Sequence, residues 1–206
     1  MIALSLFDKS GNMLKPWLDA GYECHLFDIQ HPPGQTLRED GFICHGYDLA
    51  EAPRLDGIDD VCFISCFPPC THLAVSGARW FAGKGLRALQ ESIGYFATCI
   101  DVVEHFNAPY MIENPMSTIA TYWRSADHKF HPFHFNQYCE QEDYTKETWL
   151  WVGNGFRMPA IETSLGLFDE PDRKFIHYQP DSKGRDTKRS ETPMGFAIAA
   201  YLANKD

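Results

Sequence analysis

The first half of the chain alternates short apolar runs with polar connecting segments. Five runs have the length and the β-branched or aromatic content of strands: residues 2–7, 23–27, 42–45, 61–66 and 109–112. Between them the pattern predicts a short helix over 14–20 and a long amphipathic helix over 86–106, whose apolar residues recur every three or four positions. Strands that alternate with helices favour a parallel sheet covered by helices.

The second half of the chain is less regular. Residues 131–135 and 148–152 have the composition of strands, and 195–202 are predicted to form a terminal helix after Thr192-Pro193. Residues 153–190 are rich in loop-forming residues. Because 206 residues is the length of one ordinary domain, we expect a single α/β domain over 1–206. Its fold would be a doubly wound, mostly parallel sheet with helices on both faces.

Composition narrows the class of protein. Hydrophobic residues make up 44% and charged residues 22%, which excludes a disordered, collagenous or coiled-coil chain. No apolar run approaches the ~20 residues that span a bilayer. The N-terminal run has no basic residues before it and reaches Asp8 after seven positions, so it predicts a strand rather than a signal peptide. We therefore expect a cytoplasmic protein with no membrane association and with its seven cysteines reduced.

The net charge of −10 conceals an asymmetry along the chain. Residues 1–172 carry 11 Lys and Arg against 24 Asp and Glu, a net charge of −13, whereas residues 173–206 carry 7 against 4, a net charge of +3. The late basic cluster consists of Arg173, Lys174, Lys183, Arg185, Lys188 and Arg189. Two interpretations stay open: a solvated loop that keeps the protein soluble, and a loop that contacts phosphate groups.

Polar residues follow the predicted strands at the ends where α/β sheets bind their ligands. In chain order these residues are Asp8, Ser10 and Gly11, then Asp28, then Asp48, then Cys70, and finally Glu113 and Asn114. The small Ser10-Gly11 pair would let a ligand approach the backbone closely, or it is a tight structural turn. Asp28 follows the glycine turn at about the spacing that acids use to hold ribose hydroxyls, ~20 residues.

Cys70 is the sharpest local feature of the sequence. Pro68 and Pro69 fix the backbone before it, so the thiol is expected to be positioned and partly exposed. Five other cysteines are expected to act as small buried hydrophobes: Cys24, Cys44, Cys62, Cys66 and Cys99. Glu113 ends the neighbouring predicted strand, so the thiol and the carboxyl group can share one pocket and form a reaction-capable pair.

A metal site is the alternative use of these residues. Cys62, Cys66, Cys70 and His72 are close in sequence, but the paired knuckle of a structural zinc site is missing. His128, His131 and His134 form a second group, for which exposed loop histidines are the simpler interpretation. We therefore expect no metal.

The ordered motifs resemble those of the cytosine-C5 DNA methyltransferases, particularly the short phage-type members. The resemblance covers about residues 1–124 and recurs more faintly at 144–153 and 189–204. Its most specific part is Pro69-Cys70 followed by Glu113-Asn114. It implies a Rossmann-like fold that binds S-adenosylmethionine, with residues 8–11 around the methionine end, Asp28 on the ribose, and Ile29 and Asp48 around the adenine. The full set of cofactor residues it implies is Phe7, Asp8, Ser10, Gly11, Asp28, Ile29, Asp48, Leu49 and Pro68.

The resemblance also implies a reaction, in which a methyl group is transferred to C5 of cytosine in DNA through a covalent adduct between Cys70 and C6. The implied catalytic residues are Cys70, Glu113, Asn114 and Arg79, and the implied substrate-binding residues are Ser76, Lys146, Arg185 and Arg189. Thr148 stands where the family carries a second arginine, and segment 153–190 is short for a target-recognition domain. The alternatives are therefore a cytosine nucleotide or an RNA as acceptor, a catalytically degenerate cofactor-binding homologue, or an α/β domain with another ligand. A protein partner or a homodimer is the alternative source of recognition.

Overall fold

Eight strands form one mixed sheet in the computed structural model, which describes residues 1–50, 55–75, 81–161 and 191–205. The strands are β1 Ile2–Leu6, β2 Glu23–Phe27, β3 Gly34–Leu37, β4 Ile43–Gly46, β5 Val61–Cys66, β6 Tyr110–Pro115, β7 His128–Phe130 and β8 Thr148–Gly153. Their order across the sheet is β3-β4-β2-β1-β5-β6-β8-β7.

The five central strands are parallel. They run β4-β2-β1-β5-β6, while β3 is antiparallel to β4 and β8 is antiparallel to both β6 and β7. The chain first builds outward from β1 to β4 and then crosses to the other side of β1 to form β5 and β6. Strand order therefore reverses between β1 and β5, which is where open α/β sheets hold their ligands. The arrangement is compatible with a Rossmann-like fold.

Four helices accompany the sheet in the described residues. They are α1 Lys15–Asp19, α2 Phe81–Phe106, α3 Ile119–Tyr122 and α4 Met194–Asn204. Gly85 interrupts α2 near its start with a φ of 76° and a ψ of 173°, so the helix is kinked there. Three single turns of 3₁₀ helix lie at Asn12–Leu14, Pro132–Phe135 and Glu140–Glu142.

Alternating side chains of the strands build a core on each face of the sheet. On one face Trp17 of α1 stacks on Phe63 of β5 with a 4.3 Å separation of ring centroids, and Phe196 of α4 joins the same cluster. On the other face Phe96 of α2 meets Trp151 of β8 edge to face at 5.4 Å. Burying each of these side chains stabilises the fold by roughly 1.5–3 kcal/mol. Helices thus cover both faces, as the sequence predicts.

Helix α4 packs on the first elements of the chain. The ring of Tyr201 meets Trp17 edge to face at 5.1 Å, and the Tyr22 hydroxyl donates a hydrogen bond to the carbonyl of Lys205 at 3.0 Å. Gly195 permits this close approach, because a Cβ there would lie 2.5 Å from the carbonyl oxygen of Phe135. A residue with a side chain cannot occupy this position without moving α4.

Most predicted elements are confirmed, and two predictions are wrong. Residues 131–135 do not form a strand: Pro132–Phe135 is a 3₁₀ turn, because Pro132 has no N–H to donate and the backbone N–H of His131 donates instead to Nδ1 of His134. The strand lies just before it, as β7. The sequence pattern does not reveal the short edge strand β3, which begins at Gly34. The long helix also begins at Phe81 rather than Leu86.

No helix among residues 1–50, 55–75, 81–161 and 191–205 has the length and apolar character needed to cross a bilayer.

Candidate active site

The loop after β1 leaves the sheet at the point where strand order reverses. Phe7, its first residue, has a φ of 56°, in the left-handed region that aromatic residues rarely adopt. Such a conformation costs on the order of 1–3 kcal/mol and is concentrated at functional sites. The ring of Phe7 meets Tyr95 of α2 edge to face at 5.4 Å.

The carboxylate of Asp8 is used to shape this loop. It is buried and accepts hydrogen bonds from the Ser5 hydroxyl at 2.8 Å, from the backbone N–H and hydroxyl of Ser10 at 2.9 Å, and from the Gly11 N–H at 2.8 Å. Gly11 has a φ of 80°, and a Cβ there would lie 2.9 Å from the side chains of Leu26 and Phe42. Glycine is therefore required by the left-handed backbone and the core, which favours the tight structural turn.

A residue that the sequence analysis missed holds the outside of the same loop. The guanidinium of Arg38 donates to the carbonyls of Lys9 at 3.0 Å and Ser10 at 3.1 Å, and lies 4.9 Å above the ring of Phe42. Hydrogen bonding to Asp40 raises the pKa of Arg38. Nothing in the local sequence signals this role, because Arg38 reaches the loop from the turn after β3.

The acidic residues predicted to bind a cofactor lie at the ends of neighbouring strands. Asp28 is only 8% exposed and its Oδ1 accepts the N–H of Gln30 at 2.7 Å. Asp48 is half-buried and its Oδ1 accepts the N–H of Ala50 at 2.9 Å. Ile29 is 66% exposed beside Asp28. The expected set thus combines two carboxylates with an accessible apolar side chain.

Leu49 and Tyr95 complete the surroundings of these carboxylates. Leu49 is buried in the core on the α2 side of the sheet, so its side chain packs among core residues next to Asp48 in the chain. The Tyr95 hydroxyl donates to Oε1 of Glu91 at 2.9 Å, and burial together with this bond and the charges of Asp48 and Glu91 raises the pKa of Tyr95 to about 12. Tyr95 therefore stays neutral and presents an aromatic wall to Phe7. The sequence pattern does not single out Tyr95, because this residue lies off the apolar stripe of α2.

The turn that carries Cys70 is held by its own backbone and by α2. The carbonyl of Cys70 accepts the N–H groups of Leu73 at 3.0 Å and Ala74 at 2.8 Å, and Lys84 donates to the carbonyl of Thr71 at 2.8 Å. Cys70 is half-buried, as expected from Pro68, which is itself buried. The thiol is therefore at the surface of a fixed turn.

The remaining cysteines differ from Cys70 in their surroundings. All seven cysteines are thiols rather than disulfides. Burial raises the pKa of Cys24 to about 12 and also raises the pKa of Cys44, Cys62 and Cys99. These thiols are unreactive at neutral pH, which agrees with the predicted role as small hydrophobes, although Cys62 is half-buried rather than fully buried.

Asn114 joins the Cys70 turn to the end of β6. Its buried side-chain amide donates to the carbonyl of Pro68 at 2.9 Å. Two backbone hydrogen bonds extend the connection, from Val75 N–H to Met116 at 2.9 Å and from Thr118 N–H to Leu73 at 2.9 Å. The structure thus brings together the two segments on which the predicted thiol and carboxyl group lie.

Glu113 lines a small pocket on the α4 side of the sheet. The pocket is lined by Phe67, Met111, Glu113, Phe130, Lys146, Thr148, Thr192, Pro193 and Phe196. Its cavity of about 10 Å³ has room for about one water molecule, so a larger ligand reaching Glu113 requires the walls to widen. Cys70 is not among the lining residues, so the expected sharing of one pocket by the thiol and the carboxyl group is not seen here. Phe67, which directly follows β5, is the lining residue nearest to Cys70 along the chain.

Oε1 of Glu113 is a buried polar atom of the pocket that has no hydrogen-bond partner. Oδ1 of Asn114 and Oγ1 of Thr145 are also buried and unpaired, but these two residues do not line the pocket. Burial raises the pKa of Glu113, and the positive charge of Lys146 partly opposes this. Because buried polar groups are normally paired, the Glu113 carboxyl group is suited to a polar ligand.

The reversed direction of β8 delivers Lys146 to this pocket. Thr148, the first residue of β8, lies opposite Pro115, the last residue of β6. The chain that enters β8 therefore meets the chain that leaves β6, and Lys146 and Glu113 line the same pocket. Thr148, which replaces the second arginine of the family pattern, turns its hydroxyl back to the carbonyl of Lys146 at 3.1 Å.

Other predicted features lie elsewhere. Ser76, Arg79, Arg185 and Arg189 fall in segments 76–80 and 162–190, outside the described residues. Within the described part of the chain, no group of three or more His, Cys, Asp or Glu side chains could hold a metal ion. The prediction of exposed loop histidines is wrong, because His128, His131 and His134 are half-buried and His128 belongs to β7.

The chain matches no model of a known protein family and no curated protein sequence.

Proposed function

We propose that this protein transfers a methyl group from S-adenosylmethionine to C5 of a cytosine base in DNA, through a covalent adduct between Cys70 and C6. The observation that carries the proposal is the buried hydrogen bond from Asn114 to the carbonyl of Pro68. It joins a thiol on a proline-fixed turn to the segment that presents a buried carboxyl group, and covalent activation of a pyrimidine needs both groups.

The residues at the ends of β1, β2 and β4 fit S-adenosylmethionine. Carboxylates such as Asp28 and Asp48 accept hydrogen bonds from ribose hydroxyls and an adenine amino group, and the exposed Ile29 offers an apolar contact to the adenine ring. Phe7 and Tyr95 supply aromatic surface beside them. The carboxylate of Asp8 accepts hydrogen bonds from the N–H groups of Ser10 and Gly11. Asp8 would therefore serve the methionine end of the cofactor by fixing the backbone of residues 8–11. When bound, the cofactor supplies an electrophilic methyl group.

The chemistry assigned to the chain's own residues is proton transfer and nucleophilic addition. C5 of cytosine is a poor nucleophile. When the Cys70 thiolate adds to C6 and Glu113 gives a proton to N3, C5 becomes the nucleophilic carbon of an enamine. Burial keeps Glu113 protonated above its ordinary range, which suits this role. After methylation, water takes the C5 proton, the C5–C6 double bond re-forms as the Cys70 thiolate leaves, and the N3 proton returns to Glu113. Lys146 is placed to donate to a polar atom of the base.

One observation favours a second acceptor. The body of the chain, residues 1–172, has a net charge of −13, which opposes binding of a long polyanion. A cytosine nucleotide or an RNA is therefore the alternative acceptor. Transfer of tritiated methyl groups to duplex DNA, single-stranded DNA, RNA and dCMP in parallel separates these acceptors.

The decisive variant is Cys70→Ser. It should abolish methyl transfer, because a hydroxyl at this position is far less nucleophilic than a thiolate, while cofactor affinity and melting temperature stay close to wild type. DNA containing 5-fluorocytosine should become covalently attached to the wild type, since the fluorine at C5 cannot leave as a proton does. Mass spectrometry of the digested complex should place the adduct on Cys70.

Two controls sharpen this experiment. Cys139→Ser removes another half-buried thiol and should keep full activity. Asp28→Ala should weaken cofactor binding in calorimetry by roughly ten- to a hundred-fold through loss of a charge-assisted hydrogen bond. Substantial methylation by Cys70→Ser, or an adduct on a different cysteine, contradicts the covalent mechanism.

A further inference from the structure

The side chain of Glu142 binds the first turn of α4 from a different part of the chain. Its Oε1 accepts the N–H of Met194 at 2.6 Å and its Oε2 accepts the N–H of Gly195 at 2.7 Å. These N–H groups begin the helix and have no partner within it. A carboxylate at a helix N-terminus is also favoured by the helix dipole. Both oxygens of Glu142 are thus engaged by one helix end.

The two segments that Glu142 joins both contribute walls to the Glu113 pocket. Thr192 and Pro193, which directly precede α4, line the pocket. Lys146, four residues after Glu142, also lines it. The carbonyl of Glu142 also accepts the N–H of Tyr144 at 2.9 Å, which turns the chain toward Lys146.

Gly195 makes the contact possible at this distance. A Cβ at Gly195 would lie 3.1 Å from Oε2 of Glu142 and 2.5 Å from the carbonyl oxygen of Phe135. The start of α4 is therefore packed closely against the backbone of Phe135 as well as against the Glu142 carboxylate. A side chain at Gly195 would push the start of α4 away from Phe135.

The rest of α4 is held by apolar packing that does not involve Glu142. Phe196 stacks on Phe130 with a 4.2 Å centroid separation, and Tyr201 meets Trp17 at 5.1 Å. Removing the Glu142 carboxylate should therefore leave the helix docked while its first turn loses a fixed position. The segment most affected is Thr192-Pro193. Its Thr192 carbonyl accepts a 3.5 Å hydrogen bond from the side-chain amide of Asn12.

We propose that Glu142 is a positioning residue for the acceptor side of the site: by holding the start of α4, it sets the separation between the Thr192-Pro193 wall and the Lys146 wall around Glu113. The identity of the acceptor rests on the function proposed above. Because the cavity holds only about 10 Å³, a small displacement of either wall decides what reaches Glu113.

The kinetic test compares Glu142→Ala with Glu140→Ala, which removes an exposed carboxylate from the same 3₁₀ turn. Glu142→Ala should lower kcat for methyl transfer by roughly ten- to a hundred-fold, as expected for misplaced reacting groups, with cofactor affinity within about twofold of wild type. Glu140→Ala should behave as wild type. Glu142→Gln should be intermediate, since its amide offers one acceptor oxygen where the carboxylate offers two.

A second measurement does not depend on catalysis. The Glu113 carboxyl group can be titrated by carbon NMR in each variant. If Glu142 holds the pocket closed, the raised pKa of Glu113 should fall toward its ordinary value in Glu142→Ala as water enters, and should stay raised in Glu140→Ala. If Glu142→Ala fails to fold, Glu142→Gln carries the same comparison.

The outcomes separate this inference from the proposed function. Wild-type kcat together with a wild-type Glu113 titration in Glu142→Ala overturns the positioning role and leaves Glu142 as a helix cap alone. An unchanged Glu113 titration together with loss of cofactor binding also overturns the positioning role, since the variant then affects the residues after β1, β2 and β4 rather than the Glu113 pocket. If the wild type transfers no methyl group but the titration shifts, the proposed function fails and the positioning role holds.

Discussion

Glu113 carries a buried oxygen that has no hydrogen-bond partner, and burial raises the pKa of its carboxyl group. The folded state therefore keeps the proton to a higher pH than the unfolded chain, whose carboxyl ionises near the ordinary value of 4.5. Between these two pKa values the folded state binds more protons, so the free energy of unfolding falls as pH rises. The buried carboxyl group, to which we assign proton donation, thus weakens the fold at neutral pH.

Replacing this carboxyl group with an amide tests whether Glu113 lowers the free energy of unfolding at neutral pH. Glu113→Gln should be more resistant to urea than wild type at pH 8 and equal to it at pH 4, where both side chains are neutral. Its methyl transfer should fall by ~100-fold or more, since the amide cannot give a proton to N3. Glu140→Gln, at an exposed position, should show neither change, and parallel pH slopes for Glu113→Gln and wild type would contradict the argument.

Strands β2 and β4 are joined across one face of the sheet by paired histidines. His25 Nδ1 lies 2.9 Å from His45 Nε2, and His25 Nε2 lies 2.8 Å from Oε1 of Glu23. Burial, with repulsion from His25 and His31, lowers the pKa of His45 to about 4. The unfolded chain takes up this proton near pH 6.5 whereas the folded state does not, so stability is full above pH 6.5 and falls as pH drops toward 4.

This edge of the sheet should therefore be sensitive to mild acid. Wild type should lose up to about 3 kcal/mol of unfolding free energy between pH 7 and pH 4 through His45, and His45→Gln should lose much less of it. His105→Gln removes an exposed histidine of α2 and should keep the wild-type slope. Urea unfolding at several pH values measures the slopes, and identical slopes for all three proteins would place the acid sensitivity elsewhere.

Elements with buried apolar residues could be predicted from the sequence, and those without them could not. The strands β1, β2, β4, β5, β6 and β8 are visible because their side chains fill the two cores. Strand β3 is almost wholly exposed, so it has no apolar alternation to detect. The error at residues 131–135 has a different cause, because aromatic residues that favour strands are there packed from a 3₁₀ turn.

The candidate site divides in the same way. Asp28, Cys70 and Glu113 could be found because each lies near the carboxyl end of a strand, and the carboxyl ends of parallel strands meet at one edge. Tyr95 and Glu142 could not, because they reach the site from a helix and a 3₁₀ turn whose positions only the tertiary fold sets. Sequence spacing therefore reveals site residues that follow strands, and it misses site residues that lie on a helix or a 3₁₀ turn.

For the whole molecule, charge limits how nucleic acid can bind. Residues 1–172 carry a net charge of −13 and residues 173–206 carry +3, so a polyanion has few cations to contact. Four of the late cations, Lys183, Arg185, Lys188 and Arg189, lie in segment 162–190, outside the described residues. Binding that neutralises only three or four phosphates gives a shallow salt dependence.

We expect a slope of roughly −3 for the logarithm of the DNA association constant against the logarithm of salt concentration. Neutralising Lys183, Arg185, Lys188 and Arg189 together should raise the acceptor KM without changing cofactor affinity. Changing Lys15 and Arg87 to Gln removes two cations from the body of the chain and should leave the KM unchanged. If the fourfold variant methylates DNA with a wild-type KM, the late basic cluster does not contact the acceptor. If the wild type methylates only the free nucleotide, DNA is not the acceptor.

The packing of α4 on α1 sets an order of events during synthesis. Trp17 is made early, but its partner Tyr201 emerges from the ribosome more than 180 residues later. One of the two cores must therefore wait for the last helix, and contacts so distant along the chain form slowly. The Glu113 pocket, walled by Pro193 and Phe196, comes into being only at that final step. A nascent chain can thus hold the loop after β1 and the turn that carries Cys70 before the Glu113 pocket has its walls. On the proposed function, the thiol is made well ahead of the pocket that would bind its substrate.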